Sequence, residues 1–132
     1  WVYMAKKDLS KNVRHVELTA DCVSAAMLGF TWRGFSKDLI NLNSQGLLGS
    51  ATALGDFSDV KEHHGLPDER NIAVRMGLAI GLGLGNYTTP VEKALPGLHS
   101  EVLLNACNHA IRERDLRQGE NKWKLESADW AN

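Results

Sequence analysis

Between Ile72 and Gly85 the chain reads IAVRMGLAIGLGLG, with large and small residues alternating almost throughout. Ile72, Val74, Met76, Leu78, Ile80, Leu82 and Leu84 take every second position, and Ala73, Gly77, Ala79, Gly81, Gly83 and Gly85 mostly fill the gaps. With a period of two, this is a strand with one bulky face and one nearly bare face. With a period of 3.6, Ala73, Gly77, Gly81 and Gly85 stack into a ridge of small residues against which another backbone can lie closely.

The neighbouring segments favour the helix. Thr19 and Asp21 can cap a helix carrying Cys22, Val23, Ala26, Met27 and Phe30, which Trp32, Arg33, Gly34 and Phe35 then break. Ser36 can cap a second helix through Leu39, Ile40 and Leu42, ending at the polar run Asn43 to Gly46. Leu47, Ala51, Leu54, Phe57 and Val60 then follow with helical spacing to Gly65. Gly49 and Gly55 weaken that third helix, each costing about 1 kcal/mol relative to alanine.

The second half carries clearer boundaries. Leu66, Pro67, Asp68 and Glu69 form a helix entrance, with carboxylates where the N-terminal dipole welcomes them. Thr89, Pro90, Val91 and Glu92 spell a capping box with proline at the first helical position. Pro96 and Gly97 end that short helix, and Leu98, Val102, Leu103, Ala106, Ala110 and Ile111 form an amphipathic stripe reaching about Leu116. Strand-like patterning is confined to Asn12–Leu18 and Trp1–Ala5. The pattern predicts a mainly α, compact orthogonal helical domain built around a buried Gly-rich central helix at residues 69–85. The alternative is an α+β fold with a small sheet including residues 72–80.

At 132 residues the chain fits a single domain spanning residues 1–132, with a polar, tryptophan-containing tail from about residue 118. A formal charge of −1 supplies no field to attract nucleic acid or a strongly basic partner. The longest apolar run, Met76 to Leu84, is under half the ~20 residues a membrane-spanning helix needs, so no membrane span is expected. Cys22 and Cys107 make no disulfide framework and read as buried free thiols, which points to a reducing, cytoplasmic setting for a soluble protein. No targeting segment is visible, and a start at Trp1 without an initiator methionine reads as a processed or trimmed product. Asn86, Tyr87 and Thr88 fit a glycosylation sequon, relevant only to a secreted chain.

Local chemistry is sparse. Gly81, Gly83 and Gly85 before a capped helix superficially suggest a phosphate cradle, but the spacing fits neither the dinucleotide fingerprint nor the Walker loop. His63 and His64, with Asp68 and Glu69 close by, are the candidate catalytic group of a small hydrolase or metal-dependent enzyme. Adjacent histidines diverge on a helix, so a solvated pair at a helix end is the simpler account. His99 and His109 flank Cys107, but ten residues of helix would hold them about 15 Å apart. No metal and no cofactor are expected. Arg112, Arg114, Arg117, Lys122 and Lys124 gather around Trp123, yet Glu113, Asp115 and Glu120 interleave with them, which argues against a nucleic-acid partner.

Four tryptophans in a chain this size, placed in turns and tails, form the strongest functional signal. Trp1 and Tyr3 join Trp32, Phe35, Trp123 and Trp130, and these last four are the candidate binding residues. The resulting expectation is a non-enzymatic protein–protein interaction or assembly subunit, with a protein partner or self-association into an oligomer. The alternative is the small hydrolase or metal-dependent enzyme centred on His63 and His64.

Overall fold

The computed structural model describes residues 13–53, 65–84 and 100–129. Four helices account for most of them: α1 (Val13–Thr31), α2 (Lys37–Ala53), α3 (Pro67–Leu82) and α4 (Ser100–Gln118). No strand occurs among the described residues, and the alternative sheet at 72–80 is overturned because those residues are continuous helix.

α3 is the central element, and its three kinds of residue face three neighbours. Ile72, Met76 and Ile80 pack with Leu18, Leu103, Cys107, Ala110, Ile111 and Trp123 in one core cluster. Val74 and Leu78 enter a second cluster with Ala25 of α1 and Leu48 and Ala51 of α2. Gly77 and Gly81 meet the backbone of α1. A Cβ placed on Gly77 would lie 2.1 Å from the Cys22 carbonyl oxygen, and one on Gly81 would lie 2.1 Å from that of Ala26. Gly29 of α1 answers from the other side, with its own Cβ position 3.0 Å from the Leu78 carbonyl oxygen. The small ridge of the 3.6-residue reading is therefore a seam between two backbones.

The ends of α3 follow from local chemistry. Glu69 accepts a hydrogen bond from the Leu66 amide at 2.9 Å, the acidic half of a capping box. Gly83 ends the helix at φ 73° and ψ 43°. Its amide reaches the Ile80 carbonyl, and the Leu84 amide reaches that of Ala79, as a Schellman motif requires. At α2, the Leu39 amide donates to Ser36 Oγ at 3.2 Å, so Ser36 caps as the sequence implies.

Three boundaries differ from the sequence reading. α1 begins at Val13, turning the strand-like Asn12–Leu18 stretch into helix from Val13 onward. Its buried face includes Arg14, His15 and Thr19, polar residues that a hydrophobic pattern does not count. The polar run Asn43 to Gly46 does not interrupt α2, because Ser44, Leu48 and Ala51 share the side buried against the rest of the fold. Thr19 and Asp21 lie inside α1, where the Thr19 hydroxyl donates to the His15 carbonyl and Asp21 pairs with Arg70 at 2.7 Å.

Cys22 and Cys107 are joined in a disulfide, which corrects the free-thiol reading. Both lie at zero exposure in the main core, where α1 meets α4. Apolar surroundings predict burial of both cysteines correctly, but with a sequence separation of 85 nothing local shows that the two sulfurs meet. Among the described residues no helix is long and apolar enough to cross a membrane.

Two stability predictions follow from these contacts. Gly81→Val should lower the thermal midpoint sharply, with a loss of about 3 kcal/mol or more, since the added carbons meet backbone that cannot swing away. An unchanged midpoint would show that α1 and α3 do not meet there. Replacing Cys22 and Cys107 together by alanine should cost up to about 4 kcal/mol in urea unfolding, given the long loop the bond closes in the unfolded chain.

Candidate interaction surface and the buried charge network

Charged residues in the interior are held in pairs that tie the tail to the helices. Arg14, 5% exposed on α1, donates to Glu69 of α3 through Nε at 2.7 Å and to the two oxygens of Asp115 of α4 at 3.0 and 3.1 Å. Burial acts to lower the Arg14 pKa, but the hydrogen bonds it donates to both carboxylates, with their charges, outweigh burial and the net shift is upward. Asp115 also accepts from the Trp123 indole at 2.8 Å. The guanidinium groups of Arg14 and Arg114 lie over the Trp123 ring, 5.2 and 5.7 Å from its centre. Arg114, fully buried, pairs with Asp129 and donates to the Lys124 carbonyl at 2.9 Å.

The chain reaches this arrangement by a tight reversal after α4. Gly119 has φ +89° and its amide returns to the Asp115 carbonyl, while Asn121 has φ 63°. The Asn121 amide then donates to Glu69 at 3.1 Å. Beyond it Glu126 pairs with Arg117, whose hydrogen bond draws the Glu126 pKa down despite some desolvation.

The sequence-predicted sites fare unevenly. His63, His64, His99, Trp1, Tyr3 and Trp130 lie outside the described residues, as do the Thr89–Glu92 capping box, the Asn86 sequon and Gly85. Asp68 is exposed in the first turn of α3. Glu69 is 1% exposed, and its oxygens serve Arg14, Leu66 and Asn121. Trp123 is 6% exposed and belongs to the main core. Trp32 is half-buried against the second cluster, and Phe35 stays exposed beside the start of α2. The basic group around Trp123 divides: Arg114 is internal, Arg117 pairs with Glu126, and Arg112, Lys122 and Lys124 are exposed. Among the described residues no group of three or more His, Cys, Asp or Glu converges to hold a metal ion.

An exposed apolar surface lies on α2, a feature the sequence reading did not single out. Ser44, Leu48 and Ala51 face inward, and Asn71 of α3 secures that side by donating to Thr52 Oγ1 at 3.0 Å. On the opposite side Leu39, Leu42, Gly46, Gly49 and Ala53 recur at intervals of three and four, and all five are exposed. At 3.6 residues per turn they fall within an arc of about 80°. Leu42 is 67% exposed, and a Cβ on Gly46 or Gly49 would meet nothing within 4 Å. No charged residue occurs from Leu39 to Ala53. The signal was available as a heptad-like spacing, but the expected break at Asn43–Gly46 split it between two helices.

Comparisons with models of protein families, with characterised proteins and with solved structures give no match.

Trp123 is held by this chain's own core, so removing residues 119–132 should lower the melting temperature and leave the oligomeric state unchanged. Trp123→Ala alone should cost about 3–5 kcal/mol, through a large cavity and loss of the ring beneath two arginines. A truncated chain that melts at the original temperature would show that the tail docks elsewhere.

Proposed function

We propose that this protein is a non-enzymatic protein–protein interaction or assembly subunit that docks through the outer face of α2. The carrying observation is the charge-free apolar stripe Leu39, Leu42, Gly46, Gly49 and Ala53 on a helix whose inner side is already used. An exposed helix ordinarily carries charge on its outer side, and a contiguous apolar face costs solubility unless something covers it. Phe35, 42% exposed, is a further exposed apolar residue just before α2.

The competing reading, a small hydrolase or metal-dependent enzyme at His63 and His64, loses support because Glu69 is committed to Arg14 and to two backbone amides. The Cys22–Cys107 bond weighs against the cytoplasmic setting that free thiols would have suggested and favours an oxidising compartment for the docking.

Site-specific photo-crosslinking in the cells that make the protein tests the docking surface. A benzophenone side chain at Leu42 should give a discrete protein adduct, whereas the same group at exposed Glu113 of α4 should not. Equal yields at the two positions, or no adduct at either, would remove α2 as the docking face.

A further inference from the structure

The outer face of α2 has a shape that matches itself. Its bulky members, Leu39 and Leu42, lie towards the helix N-terminus, and its small members, Gly46, Gly49 and Ala53, lie from the middle to the C-terminus. Gly46 is midway between Leu39 and Ala53. Two such helices laid antiparallel, crossing at Gly46, would set each Leu39 against the other copy's Ala53 and each Leu42 near the other's Gly49. That is the self-complementary contact a two-fold dimer requires. We infer that a second copy of this chain covers the face, through an antiparallel α2–α2 contact centred on Gly46. This rests on the interaction reading above and names its partner.

Charge and packing both favour that occupant. With no charge from Leu39 to Ala53, the face offers nothing to an anionic or cationic ligand and suits only an equally uncharged apolar surface, which is what it presents itself. The molecule also shows how it uses helix glycines. Gly77 and Gly81 weaken α3 intrinsically but admit the backbone of α1. Gly46 and Gly49 weaken α2 in the same way, and nothing in the described chain approaches them. A helix of this length presents a seam about 25 Å long. A contact confined to one helix from each copy is narrow, so the dimer should be weak and concentration-dependent.

Sedimentation velocity across about 1 to 500 µM, the range in which small interfaces dissociate, should show a monomer–dimer equilibrium. Gly46→Ala combined with Gly49→Ala should raise the melting temperature of the monomer, since the new methyl groups meet nothing among the described residues, yet weaken dimerisation about tenfold or more by holding the helices apart. Oxidising a mixture of Leu39→Cys and Ala53→Cys proteins should give mainly the mixed disulfide dimer. A predominance of the Leu39→Cys homodimer would indicate parallel helices and overturn the arrangement. A protein monomeric throughout would overturn self-association, and a Leu42 photo-adduct to a different protein would then leave the broader docking reading standing. A double-alanine variant that melts lower than the parent would mean that another segment of this same chain lies on the face, which also overturns the dimer.

Discussion

The structure depends on the direct approach of two helix backbones. Gly77 and Gly81 of α3 stand where any side chain would strike the carbonyls of Cys22 and Ala26. Helix pairs separated by ordinary side chains sit about 8–10 Å apart. A bare ridge draws them closer, and its consequences reach the other two neighbours of α3. With α1 seated on the glycines, Ile72, Met76 and Ile80 are directed into the core shared with α4, while Val74 and Leu78 meet α2. One helix thus serves three partners, which is why it is apolar on nearly every side.

A second constraint is electrostatic. Arg14, Glu69, Arg114 and Asp129 are all buried, and a buried charge is costly unless its partner is buried with it. Each pair links separate segments: Arg14 joins α1 to α3 and α4, and Arg114 joins α4 to the tail. Such pairs add little to stability compared with an apolar core of equal volume, but they penalise any arrangement that separates the partners. Trp123, with two guanidinium groups over its ring and its indole on Asp115, holds the tail in register with both pairs.

How much of this was legible in the sequence depended on range. Local chemistry reads directly at the entrances, where Ser36 caps α2 and Pro67 and Glu69 open α3. The helix expected to reach Gly85 closes at Gly83, one of several glycines that could have ended it. The spacing of Ala73, Gly77 and Gly81 identified the close-packing ridge, because four-residue spacing carries its own geometric meaning. What failed needed partners far away in the chain. Nothing local marks Arg14 and His15 as buried, because their partners Glu69, Asp115 and Asn108 lie far along the chain. Trp123 sits in a polar stretch, and only the reversal at Gly119 and Asn121 turns it inward. The exposed apolar side of α2 was missed for a local reason: Asn43 to Gly46 resembles a turn by composition, but packing of Ser44 and Leu48 on the inner side keeps it helical.

The disulfide gives the fold a closed covalent path. Cys22 and Cys107 lie near opposite ends of the chain, and the bond joins α1 to α4 around everything between them. Hydrolysis of any one peptide bond in that interval opens the path without dividing the molecule. The two pieces stay tethered at the centre of the core, with α1 still attached to the strip of sequence that carries α4. A single cut between Cys22 and Cys107 therefore adds one water and still leaves one covalent molecule until a reductant reaches the buried sulfurs.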